Sequence, residues 1–186
     1  MRTKLIISLF FVLLLTSLLS ATVAKKLSVE YLVENAKAIV HGKVKTMEAA
    51  WDKDKKAIWT EIEIEIEKTL KGDAKDTIKV FVRGGKVGDI AQEVAGSANF
   101  SKDDEVVVFC WEDSNKKLQI LGMSQGKFKV FNGKDEKEYV KNSVSGLKLL
   151  DDDGKPLDKK NYLPTEMKLS EFLELIASLT SKKDEK

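Results

Sequence analysis

Between Ile58 and Glu67 the chain alternates without a break. Ile58, Thr60, Ile62, Ile64 and Ile66 take one set of positions; Trp59, Glu61, Glu63, Glu65 and Glu67 take the other. Successive side chains of a strand point to opposite faces, so this period puts the isoleucines on one face and the carboxylates on the other. A helix would scatter both sets around its surface. The β-branched run outweighs the helix preference of glutamate. The segment reads as a half-buried antiparallel strand, and the fold must supply a layer that covers its apolar face. The carboxylate row reads as a solvated face rather than a cation site.

Other segments repeat the theme. Ala38–Val44 reads as a strand with Gly42 at a bend or bulge. Thr77–Val82 is the next, ending at Arg83-Gly84-Gly85. Glu105–Trp111 contains the unbroken apolar run Val106-Val107-Val108-Phe109, which fits a strand covered on both sides or bent across a barrel. Leu118–Gly122, Lys127–Phe131 and Glu138–Val140 are shorter strands, the last two separated by the tight-turn signal Asn132-Gly133. A short helix capped by Ser28 runs to about Ala36, with Glu30 in its first turn. The chain closes with an amphipathic helix over Ser170–Ser181, lined by Leu169, Phe172, Leu173, Ile176 and Leu179 and followed by Lys182-Lys183. That helix either packs on its own barrel or docks on a partner. The fold class expected is mainly β: a small antiparallel OB-like barrel with a short N-terminal helix and a C-terminal amphipathic helix.

The N-terminus carries an export pattern. Arg2 and Lys4 precede an apolar stretch from Leu5 to Leu19, and Ser20-Ala21-Thr22-Val23-Ala24 supplies small residues before Lys25-Lys26. The apolar stretch is short for a span of about 20 residues, so residues 1–24 read as a cleaved signal peptide rather than an anchor. Residues 25–165 then form the barrel domain, and residues 166–186 the C-terminal helix and charged tail. The whole chain has 32 basic and 30 acidic residues. Arg2 and Lys4 leave with the leader, and the remainder balances at 30 of each. A neutral, interspersed surface gives no footprint for nucleic acid or anionic lipid. Cys110 is the only cysteine, so no intramolecular disulfide forms.

The order Ala38-Ile-Val-His-Gly-Lys-Val44, a strand ending Glu67-Lys-Thr-Leu-Lys-Gly72, Ile78-Lys-Val-Phe-Val82 and Phe100-Ser-Lys-Asp-Asp-Glu-Val-Val-Val-Phe109 resembles the tissue-inhibitor and netrin-module class of OB-like barrels. That resemblance implies the barrel. The class inhibits proteases through an N-terminal cysteine on the protease zinc, and no residue of this chain takes that role. Gly84-Gly-Lys-Val-Gly88, Phe100–Phe109 and Gly122-Met-Ser-Gln-Gly-Lys-Phe128 are also similar to a family of exported bacterial proteins. This second likeness implies a periplasmic or secreted setting and carries no activity with it.

Chemistry is mostly excluded. His41 is the only histidine, so a His-rich zinc site is impossible, and a packed or surface imidazole is the reading preferred to a general base. No Gly-x-Ser-x-Gly elbow accompanies it. Cys110 has apolar neighbours and reads as a buried thiol rather than a nucleophile. Gly84-Gly85-Lys86-Val87-Gly88 lacks the Gly-Lys-Ser/Thr ending of a phosphate loop. Aligning Asp151-Asp152-Asp153-Gly154 with a calcium loop puts Leu149 and Lys160 where carboxylates belong. No catalytic, metal or cofactor residue is expected.

The expected function is thus a non-enzymatic binding module of the cell envelope, periplasmic or secreted and monomeric, acting on an envelope or extracellular protein. It is expected to hold no nucleic acid and, once the leader is removed, no stable membrane association. A modulator of an extracellular protease is the alternative. A hydrolase of unrecognised type, working through Asp89 or Glu93, is the third. The candidate surface is the glycine-bearing connection Gly84–Asn99, with Lys86, Asp89, Gln92 and Glu93, joined by Gln125 and Lys127. Val87, Ile90 and Val94 of that connection are alternatively a plug for one end of the barrel. Mass spectrometry of the exported protein is expected to show an N-terminus at Lys25, with Thr22 as second choice.

Overall fold

A computed structural model describes residues 22–144, 146–158 and 166–184. Residues 1–21, the greater part of the expected signal peptide, lie outside the described residues. Twelve strands and two helices are seen. In chain order they are β1 (Thr22–Lys25), α1 (Val29–Asn35), β2 (Ala38–Trp51), β3 (Ile58–Lys71), β4 (Thr77–Arg83), β5 (Gly85–Val87) and β6 (Ile90–Gln92). There follow β7 (Glu105–Glu112), β8 (Leu118–Ile120), a 3-10 turn (Met123–Gly126), β9 (Lys127–Asn132), β10 (Glu138–Asn142), β11 (Leu147–Leu150), β12 (Met167–Lys168) and α2 (Leu169–Asp184). No described helix is long and apolar enough to cross a membrane.

The fold is mainly β, and five strands close into a barrel. Its circuit runs β7-β2-β3-β4-β8 and back to β7. The β2–β3, β3–β4, β2–β7 and β7–β8 pairs are antiparallel. The β4–β8 seam is parallel and short, Val80 opposite Leu118 and Phe81 opposite Gln119. From β7 the sheet continues outward through β9, β10 and β12.

The alternating segment behaves as its period requires. Ile58, Ile62 and Ile64 are buried, while Glu61, Glu63 and Glu65 look outward. Ile66, near the barrel's end, is half-buried. Ile62 and Ile64 meet Val40, Val44, Ile78, Val80, Val106, Val108 and Cys110 in the interior. Two of the carboxylates outside are met by lysines: Glu61 by Lys79 and Glu65 by Lys45, each at 2.6 Å.

A second core lies on the outside of β7. Val107 and Phe109 face away from the barrel, where Leu32 and Val33 of α1 and Phe172 and Ile176 of α2 cover them. Phe109, Phe128 and Phe172 pack with ring centroids 4.6–6.2 Å apart. The amphipathic helix α2 therefore packs on its own barrel. Ser28 caps α1, its Oγ accepting from the Tyr31 N–H at 3.1 Å.

Gly42 permits the tight course of β2. A Cβ there would stand 2.1 Å from the Glu65 carbonyl oxygen, inside any contact distance. The bulge between His41 and Gly42 leaves Glu67 opposite no β2 residue.

Ile64→Ala is expected to cost about 2–5 kcal/mol, because its side chain fills the barrel interior. Glu63→Ala is expected to change stability by no more than about 0.5 kcal/mol. Urea unfolding of both variants checks this; equal small effects would contradict the burial of β3.

Candidate functional site

The connection from Gly84 to Asn99 is more ordered than its glycines imply. It folds back as the β5–β6 hairpin, Gly85 opposite Gln92 and Val87 opposite Ile90, and returns over one end of the barrel. Thr60 Oγ1 donates to the Gly84 carbonyl at 2.7 Å, and Gly84 N donates to the Ile58 carbonyl at 2.8 Å. Ile58 N in turn donates to Gln92 Oε1 at 2.6 Å. Gly85, at φ 134°, takes a conformation closed to other residues, and a Cβ there would press on Thr60 Oγ1. Further on, Ser97 Oγ donates to the Arg83 carbonyl and Thr22 Oγ1 to the Ala95 carbonyl.

This pinned segment roofs a cleft of about 790 Å³ at the barrel mouth. Ile62, Val82, Ala98 and Phe100 supply apolar wall, while Arg83, Lys86, Gln92 and Glu93 supply polar groups. Of the residues expected from sequence, Lys86, Gln92 and Glu93 line the cleft, Gln92 also carrying the strand-bracing hydrogen bond. Asp89 is exposed at the hairpin tip, outside the lining. Ile90 is 55% exposed, so it plugs nothing; Val87 and Val94 are half-buried.

Gln125 and Lys127 do not join that surface. Gln125 is buried, accepts from Leu27 N at 2.9 Å and donates to the Lys25 carbonyl at 3.1 Å, thereby holding the segment between β1 and α1. Lys127 is buried behind the segment. It donates to the Asn99 carbonyl at 2.8 Å, lies over the Phe100 ring and stands 3.6 Å from Asp104. Burial lowers the Lys127 pKa despite the pull of Asp104. Burial alone would raise Asp104. The Lys129 hydrogen bond, the charge of Lys127 and the Ser101 N–H outweigh it and hold the carboxyl below its ordinary value. The Gln-Gly-Lys run is thus a brace, which its polar composition did not reveal.

A second cleft, of about 780 Å³, was not expected from sequence. Trp51, Trp59 and Phe81 line it together with Glu48, Glu61, Asp113 and Lys117. Arg83 lies over the Trp59 ring and Lys117 over Phe81, at 5.6 and 4.5 Å from the centroids. Asp113 is committed to its own turn, accepting from Asn115 N, Lys117 N and Gln119 Nε2. The available signal was Trp59, an aromatic on the outward set of the alternating strand.

Cys110 and His41 line neither cleft. Cys110 is fully buried, and burial pushes its thiol up to about 12. His41 is buried at the outer face of β2, with Nε2 at 2.7 Å from Glu105 Oε1 and 3.6 Å from Glu67 Oε2.

Comparison of the chain with protein-family models, curated proteins and solved structures returns no match.

Asp104→Asn is expected to destabilise the protein by about 3 kcal/mol at neutral pH, since it leaves buried Lys127 without its counter-charge. The depressed carboxyl stabilises the fold above the ordinary carboxylate range, and this is lost as pH falls through its folded value. The gap between wild type and variant is therefore expected to narrow below about pH 4 in urea melts taken across pH. A gap that stays constant down to acid would contradict the assignment.

Proposed function

We propose that the chain is an exported, non-enzymatic binding module of the cell envelope, periplasmic or secreted, whose ligand is a short, partly apolar segment of another protein. The cleft at the barrel mouth carries this reading. Its volume of about 790 Å³ falls in the range of ligand pockets, roughly 300–1,000 Å³. An apolar wall with a few convergent polar groups suits a peptide better than a fully charged ligand. The closed barrel and the hydrogen-bonded roof hold the cleft in shape before any ligand arrives, which lowers the ordering cost of binding.

Export enters the same proposal. Strand β1 pairs in parallel with β11, Thr22 opposite Leu147 through Lys25 opposite Leu150. Cleavage after Ala24 would remove all of β1 but Lys25. Cleavage after Ala21 leaves the strand whole and keeps the Thr22 hydroxyl on Ala95, next to the cleft. The reading favours Thr22 over Lys25 as the mature N-terminus. Intact-mass measurement of the exported protein decides between them; a chain starting at Lys25 would contradict this choice.

The binding proposal is tested with a library of short peptides on the purified protein. Arg83→Ala with Glu93→Ala, both exposed at the cleft, is expected to weaken a selected peptide by about 1.4 kcal/mol or more, roughly tenfold. Unchanged affinity in a variant that unfolds like wild type would remove the cleft as the site.

A further inference from the structure

We propose that His41, Glu67 and Glu105 form a site for one divalent transition cation of borderline softness, with zinc as its type. The site is independent of the peptide cleft.

Three strands build it. His41 comes from β2 and Glu105 from the adjoining β7, where Val107 is the residue paired with His41. Glu67 comes from β3 at the bulge described above, as the extra residue of its strand. The donor atoms of all three lie within 4.8 Å of one another. Their side-chain exposure is graded: 8% for the imidazole, 30% for Glu105 and 51% for Glu67. One side of the group is therefore anchored in packed protein, and the other opens to water.

Charge is the second observation. Elsewhere on β3 two of the three outward carboxylates have lysine partners, Glu61 with Lys79 and Glu65 with Lys45. Among the described residues no lysine or arginine is ion-paired with Glu67 or Glu105, although the chain carries 32 of them. Two carboxylates converge on one imidazole, which supplies at most a single positive charge. A dication satisfies all three groups together.

The donor set selects the ion. One imidazole nitrogen and two carboxylate oxygens suit zinc, with a fourth position open to water. No thiolate is present to favour a soft ion, and the imidazole disfavours magnesium and calcium. Ligands at the zinc–nitrogen and zinc–oxygen distances stand roughly 3.3 Å apart in a tetrahedron. His41 and Glu67 are near that spacing at 3.6 Å. His41 and Glu105, at 2.7 Å, open by roughly half an ångström, a side-chain adjustment.

The test uses the purified protein without a polyhistidine tag, freed of metal by a chelator. Zinc chloride is titrated by calorimetry, and thermal unfolding is followed with and without the ion. Wild type is expected to bind one ion per chain saturably and to melt at a higher temperature when loaded. Glu67→Gln, at an exposed position, is expected to melt like metal-free wild type but to bind zinc roughly tenfold or more weakly. His41→Asn is expected to lose binding as well. Absence of saturable binding, unchanged affinity in Glu67→Gln, or calcium binding as tight as zinc would each overturn the proposal.

Discussion

Val106 to Cys110 has no solvent on either face. Every second side chain of this stretch fills the barrel, and the others lie under the two helices. The two cores are therefore not separate. They share one strand backbone, and a displacement of β7 disturbs both. Neighbouring strands lie on each side of it, β2 along Ala38–Lys43 and β8 and β9 on the other edge. A strand so placed tolerates no polar side chain on either surface, which is why the run is apolar without alternation.

Much of the fold was legible for the same reason. Where one face is wet and the other dry, as in β3, the period is visible in the sequence. Where both faces are dry, as in β7, the run is visible as continuity. The C-terminal helix showed because Phe172, Leu173 and Ile176 share a face at helical spacing. What stayed hidden lacks such a contrast. The second half of β2, from Lys45 to Trp51, is mostly half-buried or exposed and mixes small, charged and aromatic side chains. Strands β1 and β11 are short and pair across most of the chain, so no local signal connects them.

The candidate sites divide along similar lines. Gly84–Asn99 was visible because glycines and mixed side chains interrupt two patterned strands. Gln125 and Lys127 misled because polar residues in a short connection look exposed, whereas here they hold backbone groups of distant segments. The aromatic cleft and the histidine cluster are assembled from residues far apart in the chain, and only the strand register brings them together.

The parallel seam between β4 and β8 has a dynamic consequence. A barrel is a hoop, and a hoop opens at its clasp. Every other joint of the circuit is antiparallel and longer, whereas this one rests on two residue pairs. A local opening that uncovers the interior is therefore expected to begin there, below the free energy of global unfolding. Arg83 and Val82, at the end of β4, belong to both the clasp strand and the wall of the mouth cleft. An opening of the hoop at its clasp would therefore displace part of the cleft wall as well.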